Sequence, residues 1–195
     1  MAATSTDTDA SRPRRADALR NRERVLEGAW ECFAEHGIDA QMHDVAERAG
    51  VGVGTVYRHF ATRDALLDEL CVLCLTDLVA EARSALAEQD AWTGFERFVW
   101  HVARKQHTDR VTAEVLPAAK RASADGQRLG EELTSVVAEL VLRAQGQGSM
   151  RDDLTADSVP SLVRAMAYGV AAGRQVPGFR WGDYVQVTLD GLQAR

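Results

Sequence analysis

The sequence has 195 residues, long enough for one large or two small domains with a core that needs neither disulfides nor a structural metal. Its 46% hydrophobic and 27% charged fractions exclude a wholly disordered or collagen-like chain, and three cysteines, an odd count, exclude a complete disulfide framework. The net charge of -6 excludes a protein that coats nucleic acid through bulk charge. That mean hides an asymmetry, because residues 12 to 24 hold Arg12, Arg14, Arg15, Arg20, Arg22 and Arg24 against only Asp17 and Glu23, whereas the chain from Asp64 onward is net acidic. One end suits phosphate and the rest avoids it. No apolar run approaches the roughly 18 residues of a membrane span and the N-terminus lacks a secretory pattern, so a cytoplasmic protein without a membrane partner is expected.

Residues 1 to 15 carry almost no large apolar groups and predict a disordered basic arm. A helical pattern begins at Ala16, where Leu19, Leu26 and Phe33 recur every seven residues, and Gly37 closes it. The short segment Met42 to Ala49 puts Met42, Val45, Ala46 and Ala49 on one face and stops at Gly50; a third, Gly54 to Phe60, follows within a few residues. So short an interval cannot hold an independent packing unit. The two short helices therefore form an angled pair against the first, which is helix-turn-helix geometry. Thr62 is a good N-cap for the next helix, and Leu66, Leu67, Leu70, Cys71, Leu73 and Cys74 leave it without a polar face between 70 and 75, as in a buried central helix.

Beyond Asp90, Trp92, Phe95, Phe98, Val99 and Val102 recur three and four apart, and the polar stretch Lys105 to Arg110 ends that helix. Residues 111 to 116 predict a short helix punctuated by Pro117. The next apolar stripe, Leu129, Leu133, Val136, Val137, Leu140 and Val141, ends in the Gln- and Gly-rich run 145 to 149. Thr155 or Ser158 is the expected cap of a further helix, with Pro160 in its first turn and Leu162, Val163, Met166 and Val170 behind it. A last helix carries Trp181, Tyr184, Val185, Thr188, Leu189 and Leu192. No segment alternates with period two over a useful length, so the fold class is all-α.

From Arg24 to Leu70 the chain resembles the N-terminal DNA-binding domain of TetR-family (tetracycline-repressor-like) transcriptional regulators. The matching elements are Phe33 and Gly37, then Asp44-Val45-Ala46 and Ala49-Gly50-Val51, then Gly54-Thr55-Val56-Tyr57 with Phe60, then Arg63 and Leu66. So many residues in order make a specific signal, although the motifs cover only about a quarter of the chain. Two positions depart from the family's habit. Ala40-Gln41 stands where a threonine is frequent, leaving only the Gln41 amide to reach a phosphate, and Arg63 stands where lysine is common, with two N–H groups for the same task.

The chemistry of recognition also follows from the residues. On the third helix Val56 and Phe60 lie four apart and face the core, while Val53, Thr55, Arg58 and His59 project outward. Arg58 is the expected reader of guanine through paired donors, and Thr55 meets a thymine methyl or a base edge. Gly52 and Gly54 let the backbone approach a groove. Tyr57, His59 and Arg63 suit phosphates, which set register rather than sequence. The resemblance adds His43, at a position from which the second helix reaches DNA, and the arm with Arg12, Arg14 and Arg15 is expected to add backbone or minor-groove contacts.

Against these stand plainer readings. Cys71 and Cys74 form a CxxC, but it sits inside a buried helix pattern with no partner ligands, so core packing is expected rather than a metal or redox site. His101 and His107 lack partner motifs, and Trp100 with His101 leaves the apolar stripe towards a cavity. There is no phosphate loop, di-iron pattern or nucleophile motif, so no enzyme activity and no cofactor are expected.

The resemblance implies a regulator, most often a repressor, that leaves a near-palindromic operator when a small molecule binds, with three parts: the arm 1 to 15, a helix-turn-helix domain 16 to 61, and an effector-binding and dimerisation domain 62 to 195. The partners implied are an operator in double-stranded DNA, a small-molecule effector and a second copy of the chain. The effector is expected among Leu70, Cys74, Phe98, Trp100, Val102, Leu133, Val137 and Leu140, where apolar faces converge. Homodimerisation is expected through a four-helix bundle built from Leu162, Met166 and Val170 with Trp181, Tyr184, Val185, Leu189 and Leu192. The alternative is a helical small-molecule-binding protein without DNA-binding function, and a helical enzyme acting in the C-terminal pocket is the third reading.

Overall fold

The computed structural model describes residues 11–118 and 123–194, with side chains from residue 17 onward. These residues form α1 (Ser11–His36), α2 (Met42–Arg48), α3 (Val53–His59), α4 (Arg63–Leu86), α5 (Ala91–Thr108), α6 (Arg110–Ala118), α7 (Ala124–Gly146), α8 (Ser158–Gly173) and α9 (Trp181–Leu192). Among them the only extended pairing is an isolated bridge between Met150 and Gln193. The fold is all-α, as the periodicity predicts.

The chain divides into two compact units, 1–66 and 67–195, with the boundary inside α4. In the first, Val25, Ala29, Cys32 and Phe33 of α1 bury against Met42, Val45 and Ala46 of α2 and against Val56 and Phe60. Both turns rest on glycines with positive φ. Gly37, at φ 80, closes α1, and Gly50, at φ 62, ends α2 while the Val51 amide donates back to the Ala46 carbonyl at 3.0 Å. Thr62 caps α4 as expected, its Oγ1 accepting from the Ala65 amide at 3.1 Å.

Several local expectations shift. Helix α1 starts at Ser11 rather than Ala16, because Pro13 is tolerated in a first turn and arginine and alanine favour helix; residues 1–10 of the expected arm lie outside the described residues. Leu19 is exposed, since the buried stripe of α1 follows Val25, Ala29 and Phe33 rather than a strict heptad. Leu73 likewise faces outward, so α4 is not apolar all round. Helix α3 runs one residue earlier at each end, with Gly52 and Phe60 as its caps. Pro117 sits inside the last turn of α6 instead of ending it. Neither Thr155 nor Ser158 caps α8: Asp157 holds that position, and the Ser158 hydroxyl donates to the Thr155 carbonyl at 2.8 Å.

In the second unit Phe95, Phe98, Leu140, Val141, Met166, Val170, Val185 and Leu189 share one core. Here the expected dimer stripe is corrected. Met166, Val170, Val185, Leu189 and Leu192 are buried within the protomer itself, because an apolar stripe packs first on whatever its own chain supplies, with no cost of association. The apolar side chains that α8 and α9 leave exposed are Leu162 (44%), Tyr168 (41%), Tyr184 (50%) and Val187 (71%). Trp181 is partly buried against the core.

Candidate nucleic-acid interface and ligand cavity

Helix α3 has one committed face and one open face. Val56 is fully buried, whereas Val53, Tyr57 and Arg58 are exposed and Thr55 and His59 are partly so. A methyl group built on Gly52 or Gly54 meets nothing within 4 Å, so packing inside the protein does not require glycine at either position. Arg58 lies back along its own helix, Nε donating to the Gly54 carbonyl at 3.3 Å and Nη2 to Thr55 Oγ1 at 3.2 Å. Reaching a base edge only requires these exposed local bonds to be exchanged. The two residues expected to touch bases are thus already in contact.

Around this face the other expected DNA contacts are held by local bonds. The Gln41 amide donates from Nε2 to the Asp39 carbonyl at 2.8 Å, and Asp44 accepts from the Gln41 backbone amide at 2.9 Å. His43 is exposed with Nε2 2.9 Å from Asp44 Oδ1. Arg63 has a contact inside the protein as well: its Nε donates to the Ala40 carbonyl at 3.3 Å, bracing the chain that enters α2.

Three arginines of the same unit, of which Arg22 and Arg24 counted in the sequence only as basic charge, hold the fold together. Arg24 Nη2 donates to the carbonyls of Ala49 at 2.9 Å and Gly50 at 3.1 Å, closing the turn between α2 and α3. The Arg22 guanidinium lies over the Phe60 ring at 5.3 Å. Arg48 pairs with Glu35 and Glu31 of α1. Part of the arginine surplus of α1 therefore fastens the helix-turn-helix. Nothing in spacing alone distinguishes such arginines from phosphate contacts.

A cavity of about 350 Å³ lies within the second unit, walled by α4, α5, α7 and α8 with Leu116 of α6. Phe98, Val102, Leu133 and Val137 line it as expected. Leu70, Cys74 and Leu140 belong to the surrounding core, and Trp100 packs edge-on against Trp181 at 5.7 Å, so these four are not on its wall. Cys71 is on the wall in place of Cys74. Burial pushes the Cys71 thiol up to about 11 and the Cys74 thiol up to about 12, which keeps both as neutral thiols. Among the described residues no cluster of metal-ligating side chains occurs.

Gln106 was missed, although its register gave it away. Phe98, Val102 and Gln106 are four apart and share one face of α5. His101 does not face the cavity: it and Lys105 pair with Asp77, at 3.4 and 3.0 Å.

Known proteins match both units. Residues 25–70 fit the family model described as bacterial regulatory proteins, tetR family, and residues 89–194, more than half the chain, fit that of the C-terminal domain of SbtR-like transcriptional regulators. The chain belongs to the TetR family. The TetR transcription regulatory protein of Mycobacterium vanbaalenii is 30% identical, with 92% of this chain and 99% of that one covered at a TM-score of 0.62. The transcriptional repressor AcnR of Corynebacterium diphtheriae is 28% identical over 152 residues, 76% of this chain and 77% of its own. A tetR-family regulatory protein from Rhodococcus, 16% identical with a TM-score of 0.72, shares the fold. As a TetR-family member the protein is a DNA-binding transcriptional regulator, and the first match spans the residues of α2, α3 and the start of α4 expected here to meet DNA, though not Arg12, Arg14 and Arg15. Among the described residues no helix is long and apolar enough to cross a membrane.

Proposed function

We propose that this TetR-family regulator is a cytoplasmic, homodimeric repressor that holds a near-palindromic operator through α3 and leaves it when a small molecule fills the cavity of the second unit. The observation that carries the DNA half is the open face of α3: partly exposed Thr55 and exposed Arg58 lie together beside a glycine whose missing side chain no part of the protein needs. Arg58 takes the base edge through two donors, Thr55 a thymine methyl, and Gln41, His43, Tyr57, His59 and Arg63 the flanking phosphates. Two such helices, one per protomer, require half-sites about one helical turn apart.

Release is a shift of population. DNA favours one separation of the two recognition helices and the ligand favours another, so the ligand weakens DNA binding only by its differential affinity for the two states. The second copy is expected on Leu162, Tyr184 and Val187, apolar side chains of α8 and α9 that the protomer leaves uncovered.

Selection of genomic DNA fragments by the purified protein tests this reading. A recovered motif with two-fold symmetry supports it. Enrichment of no motif, at a salt concentration where the protein remains folded, sinks the operator reading and leaves a ligand-binding protein.

A further inference from the structure

The chemistry of the ligand is written in one side chain of the cavity. Gln106 is 2% exposed, yet no hydrogen bond reaches its side chain among the described residues, and its Oε1 is a fully enclosed acceptor without a donor. The contrast with Thr112, the other buried polar residue among those described, is instructive: its hydroxyl donates to Asp109 Oδ2 at 2.7 Å. The fold satisfies that group and leaves Gln106 unsatisfied on a cavity wall. His107 also has an unpartnered ring nitrogen, but its ring stacks on Trp181 at 5.3 Å and is not part of the cavity.

Burial orders the cavity from end to end. Thr134 of α7 and Ser161, Arg164 and Tyr168 of α8 are its exposed lining residues, while Gln106 lies at its buried side. Leu78, Phe98, Val102 and Val137 supply apolar wall, and at Gly130 an added methyl group would enter open space. Among the described residues no carboxylate lines the cavity, so a ligand cation would be buried without a counter-charge; the lining guanidinium of Arg164 is exposed, so an anion beside Gln106 would be equally alone. What remains is a neutral donor.

Resting on the reading of this cavity as the effector site, we infer that the effector is a neutral amphipathic molecule whose hydroxyl or amide N–H donates to Gln106 Oε1, with its apolar body along α4, α5 and α7. The ligand supplies a donor that no described group of the protein supplies, so molecules without the donor leave Oε1 unpaired and bind worse.

The test uses two isomeric probes, 1-octanol and heptyl methyl ether, which contain the same atoms but differ in having or lacking a donor. Calorimetric titration of the full chain is expected to show 1-octanol binding about tenfold more tightly. In Gln106→Leu the preference disappears, and in Gly130→Phe, which fills the cavity, neither probe binds. Equal affinities in the unmodified protein overturn the donor assignment while the cavity reading stands, and that comparison needs no variant to fold. A preference retained in Gln106→Leu also overturns it. Binding retained in Gly130→Phe, or no binding of either probe to the unmodified protein, removes the cavity reading and the inference together.

Discussion

A methyl group placed on Gly28 would lie 2.7 Å from the backbone nitrogen of Ala49, so α1 meets the end of α2 with no room for a side chain between them. Gly54, on the recognition helix, meets nothing within 4 Å. The first glycine serves the fold and the second is open to a partner.

This difference predicts opposite outcomes for the same substitution. Gly28→Ala forces backbone apart and should destabilise the first unit by about 1–3 kcal/mol. Gly54→Ala should stabilise α3 by about 0.5–1 kcal/mol, the usual gain for alanine within a helix, while weakening operator binding because the added methyl meets DNA. Thermal melts and fluorescence anisotropy on operator DNA separate the two effects. A Gly54→Ala protein that binds its operator as tightly as the parent would mean that the α3 backbone does not approach DNA there.

Arg58 and Arg63 are both cations, but their contacts differ. Arg58 bonds only its own helix, so Arg58→Ala should melt like the parent and lose about 1–3 kcal/mol per half-site on the cognate operator, flattening one symmetric base preference. Arg63 braces the Ala40 carbonyl, so Arg63→Ala should lower the melting temperature as well as weaken all DNA alike and reduce the salt slope by about one per site. Titrations against operator and scrambled DNA at several salt concentrations decide. If Arg58→Ala weakens both DNAs by the same factor, it is a phosphate contact.

The helix-turn-helix was legible in the sequence because its punctuation is chemical. Gly37 and Gly50 sit where positive φ is needed, and Val56 with Phe60 shows which side of α3 is core. What the last apolar stripe packs on was not legible, since Val185, Leu189 and Leu192 declare that they will be buried without declaring by what. Gln106 was hidden for another reason: in the polar run ending α5 it looks like a helix terminus, and only its register with Phe98 and Val102 places it inside. Arg24 and Arg63 look like phosphate contacts because hydrogen bonds to distant carbonyls leave no trace in spacing.

The buried CxxC predicts a pH dependence. Burial raises the Cys71 thiol from 9.0 to about 11, so at pH 8 its alkylation by iodoacetamide should be slower than that of a free thiol by roughly ninetyfold, the ratio of thiolate fractions. The unfolded chain loses these protons first, so stability should be flat below about pH 9 and fall as pH rises from there towards 11. Urea unfolding at pH 8 and pH 10, with Cys71→Val as the control that reduces the slope, measures it. Rapid labelling at pH 8 without unfolding would show that Cys71 is reached through the cavity as an ionised thiol.

Two neighbouring residues of α9 separate dimerisation from folding. Val187 is 71% exposed and Leu189 is in the core, although both are apolar and only one residue lies between them. An aspartate at 189 buries a charge with no partner, so Leu189→Asp should unfold the second unit and reveal nothing about association. Val187→Asp costs the isolated protomer little, since its side chain already meets solvent, but it puts like charges at the centre of an interface formed by two copies of α8 and α9. Sedimentation at micromolar concentration should therefore find the parent dimeric and Val187→Asp monomeric with a far-ultraviolet helical signal equal to the parent's. The monomer should also lose operator affinity steeply, since one recognition helix engages only one half-site. A folded Val187→Asp protein that remains dimeric would move the interface off the exposed side of α9.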